Sequence, residues 1–240
     1  MKIGFGNGNF WRLNKDDFER FDDKIVQIFL DAKSDALELH CRNAEAFQFL
    51  LEKDGSNIKK FAYVSLHMPD LIFDDDVQTH DALNKLVKVC RKYAVSNVVF
   101  HADKVKRWDI IAKYAIPVSV ENMDGRKDFG NTIEDMKSIL DCNDFALTLD
   151  LQHCFAIDET MQMAREFQRL YKGRIAQYHI SGYDKKKLHI PLFKTKQDII
   201  IESLLYPEIP IIIESEFEKY DEAEAEIEYI KSRIKTKNNR

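Results

Sequence analysis

Short apolar runs recur along this chain at intervals of roughly 30 residues, and longer amphipathic stretches separate them. The runs are KIGFGN from Lys2, ALELH from Ala36, FAYVSLH from Phe61, NVVFH from Asn97, IPVSVE from Ile116, FALTLD from Phe145, RIAQYHI from Arg174 and IPIIIE from Ile209. Several are almost continuously apolar, which suits parallel strands covered by helices on the outside. The stretches between them carry helix signals. Asn43 is placed to cap AEAFQFLLEK, and Thr132 with Asp135 resembles a capping box with Asp in place of Glu. Asp158 is placed to cap ETMQMAREFQRLYK, which Gly173 ends, and Thr195 to cap KQDIIIESLL. Eight strands alternating with eight helices predict a (β/α)8 TIM barrel, since an open doubly wound sheet normally has fewer repeats. With no linker or break in composition, residues 1–235 read as one domain and 236–240 as a frayed basic tail.

The 240 residues are enough for one such barrel, and 45% hydrophobic with 32% charged residues is ordinary globular composition. No apolar run approaches the ~20 residues that span a bilayer. The segment MKIGFGNGNFW turns polar too early for a signal peptide, so a cytoplasmic location is the default expectation. Cys41, Cys90, Cys142 and Cys154 show no paired spacing, which points away from a disulfide framework or a thiolate zinc knuckle. A net charge of −5 argues against indiscriminate nucleic-acid binding by the whole surface but leaves room for a local basic groove.

The ends of the predicted strands carry the chemistry. Glu38, His67, His101, Glu121, Asp150, His179 and Glu214 fall at or near the last residue of strands two to eight, and in a TIM barrel that face holds the active site. Carboxylates gathered there raise one another's pKa and resist desolvation, and a divalent cation removes that cost. Imidazoles mixed with carboxylates suit Zn²⁺, with Mn²⁺ or Fe²⁺ as alternatives, better than Ca²⁺. His153 and His189 also fall just after strands, and a set of more than four ligands implies more than one metal. Other residues have plainer readings. His40 shares a face with Glu38 and reads as a rim or packing residue. Glu38 is balanced between a site role and a bond to the backbone or Arg42. His80 reads as solvated, Asp103 and Asp124 as loop caps, and Phe10 and Trp11 as either pocket wall or barrel plug.

The order of motifs resembles the endonuclease IV and xylose-isomerase-like barrel superfamily (AP endonuclease family 2) over essentially the whole chain. The matching pieces are SLHMP, VVFHAD, SVENMD, LDLQH, YHISGY, LHIPL and IIIESE. The resemblance implies that His67 and His101 hold one metal and that Glu121 bridges it to a second, completed by Asp150, His179 and Glu214. His153 and His189 would belong to a third position. There the family uses an Asp two residues before the loop histidine, whereas this chain has Lys187, which either disables that position or contacts a phosphate. The implied activity is metal-dependent phosphodiester hydrolysis, on abasic-site DNA or another phosphate ester, with Glu121 and Glu214 as catalytic residues and Glu38, Arg126 and Lys187 near the substrate. The alternative is a sugar isomerase or epimerase using Glu121, Asp150, His179 and Glu214 around one metal. Lys104, Lys106, Arg107, Arg126, Lys127, Lys185, Lys186, Lys187, Lys194 and Lys196 fall in loops of the same face, which suits a phosphate-bearing ligand. No membrane or protein partner is implied.

Overall fold

A computed structural model describes residues 1–14, 16–185 and 187–238. Eight parallel strands close into a barrel. They are β1 (Ile3–Gly6), β2 (Ala36–His40), β3 (Tyr63–His67), β4 (Asn97–His101), β5 (Val118–Glu121), β6 (Ala146–Asp150), β7 (Ile175–Ile180) and, after a small hairpin of β8 (Gly182–Asp184) and β9 (Lys187–Ile190), β10 (Ile211–Ile213). Each barrel strand pairs with its neighbours in the chain, and β10 returns to β1. All eight apolar runs form the expected strands.

The helices wrap the outside: α1 (Asp23–Asp31), α2 (Glu45–Glu52), α3 (Val77–Tyr93), α4 (Trp108–Ile111), α5 (Ile133–Leu140), α6 (Leu151–Ile157), α7 (Gln162–Leu170), α8 (Leu192–Thr195), α9 (Asp198–Glu202) and α10 (Glu222–Asn238). Much of the core lies between helices and strands, as where Phe5 stacks on Phe29 at 4.9 Å and Phe29 on Phe10 at 5.3 Å. Phe10 is therefore a core residue of that outer layer, neither pocket wall nor barrel plug, while Trp11 stays 40% exposed and lines a cavity at the mouth.

Side-chain caps fix several of the helix starts. Asn43 accepts from the Ala46 amide at 3.1 Å, Asp76 from Thr79 at 2.7 Å and Thr132 from Asp135 at 3.1 Å. The Asp135 carboxylate accepts from Gly130 at 3.2 Å, so only half of the expected box forms. Thr195 caps nothing: it ends α8, and its hydroxyl has no hydrogen-bond partner among the described residues. Asp158 holds the turn before α7, accepting from Thr160 and Met163, and the helix itself begins only after Met161 at φ 58°. That helix ends at Leu170, with Tyr171 rather than Gly173 at its C-cap.

Two further features stand apart from the expected pattern. The described part of the tail, residues 236–238, continues the last helix. Helix α10 runs on to Asn238, where Lys237 reaches back to the Glu202 carbonyl at 2.8 Å and caps the neighbouring turn; residues 239–240 lie outside the described set. The second is the antiparallel pairing of β8 with β9 after β7, where a loop was expected. A side chain at Gly182 would collide with Thr195 Oγ1 at 2.5 Å and the Ile190 carbonyl at 2.8 Å, so only glycine lets the hairpin lie this close. The hairpin carries His189, itself in the left-handed region at φ 55°.

Candidate metal centre

Alternation along each strand decides which side chains reach the barrel axis. Register places His40 beside His67, His101 beside Glu121, and Asp150 beside His179. Two residues earlier on the same strands stand Ser65, Ser119, Thr148 and Gln177, all buried. They form a hydrogen-bonded polar layer: Ser119 meets Thr148 at 2.6 Å, Tyr63 donates to Gln177 at 2.9 Å, and Ser65 and Gln177 donate to Glu38 at 2.8 and 2.6 Å. This floor beneath the charged residues was not recognised in the sequence. Its signal is a polar residue two places before His67, Glu121, Asp150 and His179.

Above it, two groups of ligand-type side chains converge. His67, His101 and Glu121 each offer an atom within 4.8 Å of the others, and so do Glu121, Asp150, His179 and Glu214. Glu121 belongs to both, and its two oxygens face opposite ways. Oε2 lies 3.1 Å from His67 Nε2 and 3.4 Å from His101 Nε2, whereas Oε1 lies 3.0 Å from His179 Nδ1. Glu214 Oε1 reaches the same His179 Nδ1 at 3.1 Å.

Asp150 shows how the local fold aims a ligand. Its Oδ1 caps α6 by accepting from the His153 amide at 2.8 Å, and Asn122 ties the strand ends together by accepting from the Asp150 amide at 2.8 Å. Its Oδ2 is buried with no hydrogen-bond partner among the described residues. A buried carboxylate oxygen with no hydrogen bond, met only by His153 Nδ1 at 3.4 Å and set beside the carboxylates of Glu121 and Glu214, is costly unless a cation offsets it, so this donor set fits a divalent metal.

The electrostatics agree with that reading. Burial would lower the His67 imidazole, but its hydrogen bond to Glu121 and that carboxylate's charge hold it up at about 9. His179 is raised well above the ordinary value, as Glu214, Glu38 and Glu121 overcome its burial. Burial would raise Glu38, but the His179 and His67 charges hold it down at about 2. Glu121 is held well below the carboxylate range because His179 and His67 outweigh its burial. Glu214 moves the other way, pushed up by burial and by Glu121 and Asp150.

The remaining candidates divide. Glu38 is 1% exposed and sits under His179, 3.3 Å from its Nε2, with Gln177 crowding the same edge; Arg42 pairs instead with Asp17 at 3.1 Å. Glu38 is thus built to orient His179, although it also lines a cavity beside the centre. His153 Nδ1 is 2.8 Å from the Asn122 carbonyl and 3.4 Å from Asp150, and its ring lies 6.4 Å from that of His189. His189 approaches Glu214 at 3.8 Å, and burial lowers its imidazole to about 4. Among the described residues no third ligand group forms around this pair. Lys187 turns to Glu216 at 3.7 Å, and Asp184 accepts from the Lys187 amide at 2.8 Å. Arg126 forks onto Asp124, and that carboxyl, which burial would raise, is held at about 2 by the arginine. Cys154 is buried, takes a hydrogen bond from Asn122 at 3.5 Å and stands outside both ligand groups. His80 is half-buried against Tyr114 and Asp75 rather than solvated.

The basic loops are mostly neutralised. Lys104 pairs with Asp70, Lys106 with Asp74, Arg107 with Asp109, Lys127 with Asp103 and Lys194 with Glu222. Lys186 lies outside the described residues. The cationic face expected from these loops is therefore a mosaic of ion pairs, because acidic residues follow the neighbouring strands and helices on the same rim.

No family model matches the sequence, and no curated protein matches it. Solved structures do. Endonuclease IV from Thermus thermophilus superposes with a TM-score of 0.63 at 16% identity, covering 98% of this chain and 100% of that one. The 3-keto-D-glucoside 4-epimerase YcjR from E. coli gives 0.65 at 13% identity, covering 97% and 99%. The probable 3-DHS dehydratase AsbF from Bacillus anthracis gives 0.66 at 14% identity, covering all of both chains. At such identities the likeness speaks for the fold alone: the chain is a (β/α)8 TIM barrel.

Proposed function

We propose that the chain is a metal-dependent hydrolase of phosphate esters with a binuclear centre. The observation that carries this reading is Glu121, which turns one oxygen to His67 and His101 and the other to His179, as a bridging carboxylate would. Held by these two groups, divalent cations supply Lewis-acid polarisation of a phosphoryl oxygen and activation of water. The chain's own part is to set the ligands beforehand. Glu121 keeps the two groups side by side, Asn122 locks the ends of β5 and β6, and Glu38 fixes the His179 ring so that Nδ1 faces the centre.

Metal loading followed by gel filtration and elemental analysis tests the reading, together with hydrolysis of bis(p-nitrophenyl) phosphate and of a duplex bearing one abasic analogue. Two tightly held Zn²⁺ or Mn²⁺ per chain and phosphodiester cleavage are expected. A single ion, unaffected by replacing His67 and His101 with alanine, and no cleavage of either substrate would overturn it.

A second reading has its own support. Glu121, Asp150, His179 and Glu214 form a complete ligand group without the other two histidines. A single-metal sugar isomerase or epimerase with Glu121 and Glu214 as acid and base fits that group. It predicts turnover of a ketose or aldose that survives loss of His67 and His101.

A further inference from the structure

A cavity of about 280 Å³ opens at the β1–β2 side of the barrel mouth. Glu214 and His189 line it from the metal centre, and Arg20 and Arg42 from the segments that follow β1 and β2. Neither arginine was singled out by the strand-end pattern, because neither lies on a strand.

Arg20 is only 3% exposed. One of its amino groups pairs with Asp17, while its buried Nε has no hydrogen-bond partner among the described residues. Arg42 reaches the same Asp17 oxygen at 3.1 Å, so two guanidiniums share one carboxylate. Beside them, Arg12 at 2.8 Å and Lys187 at 3.7 Å share Glu216, another lining residue. The lining itself carries Arg20 and Arg42 at this end, Glu38 and Glu214 toward the metal centre, and Glu216 already engaged by Arg12 and Lys187. Burial and the Arg42 charge lower Arg20 to about 10, so it stays cationic at neutral pH.

Nε is closed to the cavity as well as to water, so what Arg20 offers a ligand is the remainder of a desolvated guanidinium, and a planar or tetrahedral oxyanion is the group that matches a guanidinium best. Gly8, in the cavity wall, lies close against His40: a side chain there would meet Nδ1 at 2.8 Å. The volume suits a sugar-sized molecule, just below the range of about 300–1,000 Å³ typical of small-molecule pockets.

We propose that this cavity is the substrate pocket of the metal centre, and that Arg20 and Arg42 hold an oxyanion carried by a small free molecule whose other end meets Glu214. The substrate of the proposed hydrolase is then a compact ester with an anionic group remote from the bond that breaks. This rests on the reading of the centre as the reacting site, but binding of the anion requires neither metal nor turnover.

Calorimetry on the full chain, stripped with a chelator, tests it with inorganic phosphate, ribose 5-phosphate, ribonate and ribose. Saturable binding of phosphate is expected, with ribose 5-phosphate or ribonate at least tenfold tighter than neutral ribose; which of the two wins tells phosphate from carboxylate. Arg42→Ala, at an exposed position, should weaken the anions at least tenfold and leave ribose unchanged. Arg20→Lys keeps the charge but loses the fork and should weaken them too, with the thermal midpoint recorded to check folding. Failure to bind any of the oxyanions, equal affinity for charged and neutral sugars, or binding untouched in Arg42→Ala would overturn the proposal. So would an oligonucleotide that displaces ribose 5-phosphate and binds more tightly. Anion binding without any later hydrolysis would sink the hydrolase reading alone.

Discussion

Glu121 touches both histidine sets and cannot be replaced at both ends by an amide, whose oxygen can serve one cation but whose nitrogen is no ligand. Glu121→Gln should lower bound metal from two ions to one or none and reduce phosphodiester turnover by roughly 100-fold or more, on the scale of losing a key electrostatic group. Far-UV circular dichroism should stay that of the wild type, because the fold rests on the apolar layer outside the barrel. Unchanged turnover would remove the bridging role. Glu38 is the sharper test of positioning, since it meets His179 without joining either ligand group. Glu38→Gln should weaken metal binding by about 10–100-fold, as losses of such outer partners do. Chelator competition reads this directly, and an unaltered affinity would leave Glu38 a merely structural carboxylate.

At the level of elements, the mouth of the barrel is pinned by α10. Glu226 on that helix accepts from the Leu192 and Phe193 amides at 2.7 and 2.9 Å and from Ser215 Oγ at 2.6 Å. It thereby ties the segment after His189 to the residue after Glu214. Removing a buried charged acceptor leaves two amides unsatisfied, so Glu226→Ala should cost about 3 kcal/mol or more in urea unfolding. A loss under about 0.5 kcal/mol, the scale of an ordinary surface change, would show that the clamp carries no weight.

The molecule as a whole stores proton linkage at its centre. His67, held at about 9 against 6.5 unfolded, contributes stability that is complete below pH 6.5 and is lost as pH rises through 9. His179 and Glu214, both raised, act in the same direction. The metal-free chain should therefore lose stability between pH 6.5 and 9, by about 3 kcal/mol from His67 alone. A flat urea midpoint over that range would contradict the His67–Glu121 pairing. For the same reason, loading metal at pH 7 should release protons. Calorimetry in buffers of different ionisation enthalpy measures that release, and its absence would show that these groups are not the ligands.

The barrel and the order of its strand-end residues are legible in the chain before it folds. Parallel strands are buried on both faces and read as apolar runs, and period-two alternation aims each terminal residue the same way. How those residues meet is settled only in three dimensions. That His67 and His101 take one oxygen of Glu121 and His179 the other follows from register across β3 to β7, which no local pattern records. Glu38 became a support for His179 because barrel closure buried it, and the basic loops lost their excess charge to acids from distant segments. Arg20 escaped notice for the most physical of these reasons: a charge in a loop looks solvated until the fold takes its water away.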